Sequence, residues 1–272
     1  MSIYGDFRLK KSTSVARFFQ LLVVFYSTGA LSEDLSLDGI PGGEHISVRL
    51  KLSQALKPKP MELMYRSKLC KQITSSASGK TIELDGYNEI EVELSDNGGG
   101  LLSYEVPLEG GTACGWKLSS IAFGVEYDGE GRFGHNLRYV GGGGLVVSFD
   151  DHMAQRGSGY PKAVMGDLVL KQDYYPWVAE NFIDGYEKTI RLMGNKYGYA
   201  TFKAPMARKI YFEPVLHVDF PVFSVGPKEI AKGNKTVFTY PDGSAAVHAL
   251  AEPSYKKLDV IRSNAEQTLT KD

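Results

Sequence analysis

Apolar and polar residues alternate along much of this chain with a period of two, which is typical of strands that bury one face. In HISVRLKL (45–52) every second residue is Ile, Val or Leu, and in EIEVEL (89–94) glutamates occupy the alternate positions. Strand-like segments of this kind recur to the end of the chain, with few helical segments between them. The pattern predicts a mainly β protein with an antiparallel β-sandwich-type architecture.

Turn motifs separate the strand-like segments. Asp85-Gly86 lies between two extended runs and predicts a hairpin turn, and Pro241-Asp242-Gly243 predicts a second hairpin. The run GGGG at 141–144 stands between two strand-like segments, and no Gly-Lys-Ser/Thr of a phosphate-binding loop follows it. We therefore interpret the glycine run as a flexible hairpin tip.

Helical patterns are few. Residues 176–193 could begin a helix with Pro176 in its first turn, but Gly185 weakens that interpretation. Residues 252–267 fit a helical pattern better. The sequence thus predicts a short C-terminal helix.

The N-terminal region resembles a secretory signal peptide. Four basic residues precede an apolar run at 18–30, and small residues follow it, so we place cleavage after Ser32. The run is too short and too interrupted by polar residues for a comfortable membrane span. This pattern predicts a periplasmic or, alternatively, a secreted protein that has no membrane span after cleavage; the other interpretation is an amphipathic first helix of the mature fold.

Two cysteines, Cys70 and Cys114, are present in the whole chain. In an exported protein they most simply form one disulfide. By closing the loop between them, it would stabilise the folded state by about 4 kcal/mol in the chain-entropy model. Two separate buried thiols are the alternative. No histidine stands at metal-ligand spacing from either cysteine, so we predict no metal site and no cofactor.

The composition of the chain indicates where it could divide into two domains. The polar, glycine-rich segment 152–162 could divide an N-terminal β subdomain (33–152, with the disulfide) from a C-terminal one (163–272), or it could be a long loop of a single domain.

Without residues 1–32 the chain carries 27 basic and 31 acidic side chains, a net charge of −4. A net negative charge of this size does not favour binding to nucleic acid or to an anionic membrane.

Few residues of the sequence are candidates for catalysis or metal binding. Asp150, Asp151 and His152 follow a strand-like segment and are weak candidates for a catalytic or metal site, together with His217 and Asp219. The loop YDGEGRFG (127–134) holds two acidic residues but lacks the regular ligand spacing of a calcium loop.

Aromatic residues suggest a binding surface instead. Tyr174, Tyr175 and Trp177 crowd around a proline, where they could form an exposed patch for a partner or could plug one end of the sandwich.

These observations favour a non-catalytic, exported binding protein, most simply an immunity-type inhibitor that binds a toxin, an effector or an envelope hydrolase. Such a protein needs a rigid scaffold and a complementary surface, and it leaves no catalytic motif in its sequence. Two alternatives remain open: an enzyme that acts on glycan or peptidoglycan, and a carbohydrate-binding or surface-structural module.

Overall fold

The computed structural model describes residues 40, 42–129, 131–152, 160–195, 198–229, 231–247 and 252–269. The proposed signal peptide lies outside the described residues, as does most of the segment 152–162. The described chain forms 17 strands and one helix. In chain order they are β1 His45–Lys51, β2 Leu56–Pro58, β3 Met61–Ser75, β4 Thr81–Val92, β5 Ser95–Asp96, β6 Leu101–Pro107, β7 Lys117–Tyr127, β8 Arg138–Gly141, β9 Gly143–Ser148, β10 Lys162–Ala163, β11 Leu168–Asn181, β12 Glu187–Met193, β13 Tyr199–Lys203, β14 Lys209–Leu216, β15 Val222–Val225, β16 Val237–Thr239, β17 Ala245–Val247 and α1 Tyr255–Leu269.

These strands form two sheets, which confirms the mainly β prediction. The first sheet has the order β17-β16-β15-β11-β14-β1-β6-β5, with β12 and β8 continuing from β11. The second has the order β10-β13-β9-β7-β3-β4, with β2 beside β7. Both sheets are mixed, because parallel pairs such as β1–β14 and β9–β13 accompany the antiparallel ones. These two parallel pairs also join strands from before and after residues 152–162.

The core lies between the two sheets in a sandwich-like arrangement. In β1, Ile46, Val48 and Leu50 are fully buried, as the alternating pattern predicts. Phe123 of β7 and Phe212 of β14 meet edge to face across the core, with ring centroids 6.0 Å apart. These contacts bury the apolar faces of both sheets together, which is the main source of their stability.

The two predicted hairpins have different outcomes. Pro241-Asp242-Gly243 is indeed the turn between β16 and β17, and Gly243 has a positive φ of 78°. The other hairpin prediction is wrong, because β4 runs straight through Asp85 and Gly86 and the turn lies at residues 76–80. Gly86 instead faces an irregularity in β3, where a Cβ on Gly86 would fall 1.9 Å from the carbonyl oxygen of Cys70. Glycine is needed there for close backbone approach.

The glycine run at 141–144 is not a flexible tip. Its last two residues, Gly143 and Gly144, belong to β9 and are buried. A Cβ on Gly143 would fall 2.2 Å from the ring of Tyr174, and one on Gly144 would fall 2.5 Å from the carbonyl oxygen of Phe123. The run therefore provides room for neighbouring atoms in a packed strand, and the prediction of a flexible tip is wrong.

Of the two helix predictions, one is confirmed and the other is wrong. The C-terminal helix is confirmed as α1, which buries Leu258 completely. Residues 176–193 form no helix; they form the end of β11, a turn and β12. Asp184 and Gly185 both have positive φ in that turn, which suits a tight hairpin and is incompatible with a continuous helix.

Candidate functional site

The predicted aromatic patch is buried. Tyr174 and Tyr175 are fully buried, and Trp177 is 7% exposed. The reason is that β11 is covered on both faces: Tyr174 points into the core between the sheets, while Tyr175 and Trp177 pack in a second cluster with Phe238 and α1. The prediction of an exposed binding patch is therefore wrong for these three residues.

Contacts of the second cluster hold α1 on the first sheet. The hydroxyl of Tyr175 donates to Asp259 at 3.1 Å and accepts from Arg262 at 2.9 Å. The indole nitrogen of Trp177 donates to the hydroxyl of Ser224 at 2.8 Å. Buried aromatic residues with satisfied polar ends are typical of a structural role.

His217 and Asp219 do not form one site. The imidazole of His217 lies 2.7 Å from Asp173 and stacks on the ring of Tyr175, so it belongs to the contacts beneath α1. Asp219 points elsewhere and pairs with Arg132. Both residues follow the end of β14 and do not lie within a strand. Within the described structure His217 contacts Asp173, and His152 contacts Asp150 and Asp85, so the two predicted groups do not gather into one site.

Asp150, Asp151 and His152 follow β9 and meet the second sheet near β4. The Nδ1 atom of His152 lies 3.0 Å from Asp150, and its Nε2 atom lies 3.7 Å from Asp85. Asp85 also pairs with Lys71, which lowers the pKa of that carboxyl below its usual value. Asp151 pairs with Lys203, and the same effect lowers its pKa.

This cluster fits an ion network better than a reaction centre. A nucleophile activated by histidine must lie within hydrogen-bond reach of the imidazole, whereas both ring nitrogens of His152 face carboxylates. Among the described residues, no group of three or more His, Cys, Asp or Glu side chains is arranged to hold a metal ion. The sequence signal for these residues is thus explained by charge pairing around Asp85.

An exposed apolar surface lies next to that network. Residues 68–75 of β3 and 81–85 of β4 form a two-stranded projection, which we call the arm. Leu69 is 72% exposed and Ile73 is 73% exposed, whereas the residues of β3 that precede the arm are buried or half-buried. Ile73 stands opposite Glu83, so Leu84, which is 49% exposed and stands opposite Gln72, lies on the other face of the arm. The sequence did not predict the arm, because an alternating pattern shows which face of a strand is apolar but not where along the strand the opposite sheet ends.

The base of the arm is fixed by covalent and hydrogen bonds. Cys70 and Cys114 form a disulfide across a sequence separation of 44, which confirms the predicted bridge. The hydroxyl of Ser67 donates to the carbonyl of Cys114 at 2.6 Å and accepts from the amide of Cys70 at 2.9 Å. A two-stranded ribbon alone is marginally stable in water, so these bonds fix its direction relative to the second sheet.

The outer face of β4 is acidic. Glu83, Glu89 and Glu91 are exposed, and the residues opposite them on β3 are Ile73, Met64 and Glu62. No basic residue stands directly opposite these three carboxylates across the strand pair, and the basic residue diagonal to Glu89 is Arg66, which stands opposite Tyr87. Within the described sheet, β4 is also a terminal strand with one unpaired edge.

The arm is thus a candidate binding surface. Among the described residues, no helix combines the length and apolar character needed to cross a membrane. Comparison of the chain with protein-family models, with curated proteins and with solved structures gives no match.

Proposed function

We propose that this protein is an exported, non-catalytic binding protein of the cell envelope that acts as an immunity-type inhibitor of a toxin, an effector or an envelope hydrolase. The observation that carries the proposal is the arm, a rigid strand pair that exposes large apolar side chains beside a disulfide. The disulfide is compatible with maturation in an oxidising compartment such as the periplasm.

The arm has the features of a protein-binding surface. Exposed apolar residues grouped on one projection are uncommon on monomeric proteins and often mark an interaction site. Leu69 and Ile73 are exposed on one strand of the arm, and the disulfide limits the entropy that the arm loses on binding. A partner would be blocked by occlusion of its own site, which requires no reacting group on this protein.

Charge supports a partner with a basic surface. The acidic face of β4 begins on the arm at Glu83 and continues to Glu91. A basic partner would be attracted to this face over the distance of a Debye length and would approach the apolar residues beside it. The unpaired edge of β4 would also accept an added strand from such a partner.

Site-specific crosslinking in intact cells tests the proposal. A photoreactive residue replaces Ile73 on the arm, and a matched one replaces Met206, which is 63% exposed between β13 and β14. We expect a crosslinked protein from position 73 and none from position 206. The captured protein is then purified, and its toxic or hydrolytic activity is measured with increasing amounts of the inhibitor.

Inhibition should be complete near one equivalent, and Ile73→Lys should weaken it at least tenfold because a positive charge enters the apolar contact and repels a basic partner. Met206→Lys serves as the control and should inhibit as the original protein does. A partner whose activity is unchanged by stoichiometric binding, or equal crosslinking from both positions, would disprove the proposed function.

A further inference from the structure

The outer edge of β4 is long and free. β4 is the last strand of the described second sheet, and over Thr81–Val92 it pairs with β3 and with no other described strand. The extra residues at the irregularity of this pair belong to β3, so the backbone of β4 continues without a bulge. A free edge presents a row of backbone N–H and C=O groups to which an extended segment of another protein can be added as a strand.

The residues of β4 do not close this edge in the usual ways. Lysine, proline and bulges commonly protect a strand edge, whereas the sequence of β4, TIELDGYNEIEV, contains no Lys, Arg or Pro. Its charged residues are all acidic and all lie at odd-numbered positions, hence on one face of the strand: Glu83, Asp85, Glu89 and Glu91. Asp85 is already paired with Lys71. The three glutamates therefore determine the charge that a partner meets along the edge.

The three glutamates are placed to meet the side chains of an added strand. Glu83, Glu89 and Glu91 are exposed, and the guanidinium of Arg66, diagonal to Glu89 on β3, donates to the hydroxyl of Ser119 at 3.3 Å. Side chains on one face of a strand repeat about every 6.8 Å, and an added strand has the same repeat. Its alternate side chains would therefore lie beside the glutamates, where opposite charges stabilise a strand pair and like charges destabilise it.

The opposite face of β4 is largely apolar. Leu84 is exposed, and Ile90 and Val92 are half-buried. Every second side chain of an added strand would lie beside these residues, a position that favours β-branched side chains such as Val, Ile and Thr. The two faces of β4 thus match a strand that is basic on one face and β-branched on the other.

We propose that β4 binds an extended segment of the partner as an added strand, in which Lys or Arg occupies every second position and β-branched residues occupy the positions between. The basic side chains would lie beside Glu83, Glu89 and Glu91, and the backbone of the segment would complete the hydrogen bonds of the β4 edge. A second copy of this chain fits the edge poorly, because aligned acidic faces would set glutamates side by side. The inference rests on the inhibitor proposal for the identity of the partner, and it specifies how that partner is recognised.

Calorimetric titration of the purified full chain with synthetic peptides tests the strand pairing. The first peptide, of about nine residues, has lysine at every second position and Thr or Val between; the second has the same composition with its lysines consecutive. We expect saturable binding of the first with a dissociation constant of about 100 µM, and binding of the second at least roughly tenfold weaker. Equal binding of the two peptides would overturn the proposal, because it would show attraction by charge without strand pairing.

Methylation of the peptide backbone tests the hydrogen bonds directly. Two further peptides carry N-methyl groups on one or the other alternate set of amides. Because alternate amides of a strand point to opposite edges, methylation of one set should abolish binding and methylation of the other set should leave it unchanged. Equal effects of the two sets would overturn the proposal.

Charge variants of the protein locate the binding edge. Glu89→Gln/Glu91→Gln removes two charges and preserves shape, so affinity for the alternating peptide should fall roughly tenfold and should depend less on salt. Glu229→Gln/Glu252→Gln is the matched control, since it removes two exposed charges outside β4 and should bind as the original protein does. Thermal unfolding confirms that each variant is folded, and equal affinities of the two variants would place the binding elsewhere and overturn the proposal.

Failure of this inference and failure of the inhibitor proposal have different signatures. Absence of binding by the alternating peptide at about 1 mM, or a dimer of the free chain joined through β4, would overturn the added-strand proposal even if position 73 captures an inhibited protein. Capture of no inhibited protein from position 73 would disprove the inhibitor proposal even if the peptide binds β4.

Discussion

The strand pair β3–β4 has two halves that differ in what stabilises them. In the half that belongs to the sandwich, Leu63 and Tyr65 are fully buried against the first sheet. In the arm, Ile73 on the same strand is 73% exposed. Both halves have the same antiparallel pairing, but only the first has a packed face. The difference shows that ladder hydrogen bonds define a strand, whereas burial or a covalent link is needed to hold it.

Removal of the disulfide should have the largest effect. The double variant Cys70→Ala/Cys114→Ala loses the loop constraint, and we expect a decrease of about 4 kcal/mol in the free energy of unfolding. Denaturant titration measures this decrease. Hydrogen exchange should show that arm amides lose protection first, because they have no packed face; retention of full arm protection would contradict the comparison.

A packing change inside the sandwich should cause the second-largest decrease in the free energy of unfolding. Gly144→Ala places a Cβ 2.5 Å from the carbonyl oxygen of Phe123, and the backbone there has no room to shift, so we expect a loss of about 3 kcal/mol. The matched change is Gly79→Ala at the tip of the arm, where nothing lies within 4 Å of the new Cβ and the positive φ alone costs about 1 kcal/mol. Equal losses of stability in the two variants would show that the sandwich tolerates overpacking as well as the arm does.

The smallest effect should appear at acid pH, where the arm should respond more than the sandwich. Hydrogen bonding to Lys71 lowers the pKa of Asp85 below its ordinary value of 3.8. A lowered carboxyl pKa stabilises the folded state above the unfolded value, and this contribution is lost as the pH falls through the folded value. We expect arm amides to lose more protection below about pH 4 than sandwich amides do, because the sandwich amides also have a packed face.

Asp85→Asn should remove this pH dependence, because the amide does not titrate. Protection factors from NMR at neutral and acid pH, corrected for intrinsic exchange, measure the effect. A pH response of the same size in the variant would assign the effect to another carboxyl, such as Asp151, whose pKa is lowered by its hydrogen bond to Lys203.

Local sequence signals succeeded where the structure depends on neighbouring residues. The turn at Pro241-Asp242-Gly243 and the helix α1 formed as predicted, because turn geometry and helix periodicity are set within a few residues. Asp85-Gly86 carried an equally strong turn signal, yet a continuous strand passes through it. There the bulge of β3 at Cys70, distant in sequence, determines why glycine is present.

The candidate sites depended more on distant contacts. Tyr174, Tyr175 and Trp177 read as an exposed patch, but α1 and the opposite sheet cover both faces of β11. Asp150 and His152 read as possible catalytic residues, and the approach of Asp85 from β4 placed them in an ion network. In each case the residue types were visible in the sequence, and their surroundings were not.

For this protein, the sequence by itself determined the strand-rich composition, the buried faces of strands such as β1, the C-terminal helix and the pairing of two cysteines. These features follow from residue periodicity and from the chemistry of the only two thiols. Tertiary structure alone decided that the glycine run accommodates a tyrosine ring, that β4 extends beyond the sandwich, and that one edge of β4 has no partner in the described sheet. Each of these depends on which strands become neighbours, and that choice is made by burial over the whole chain.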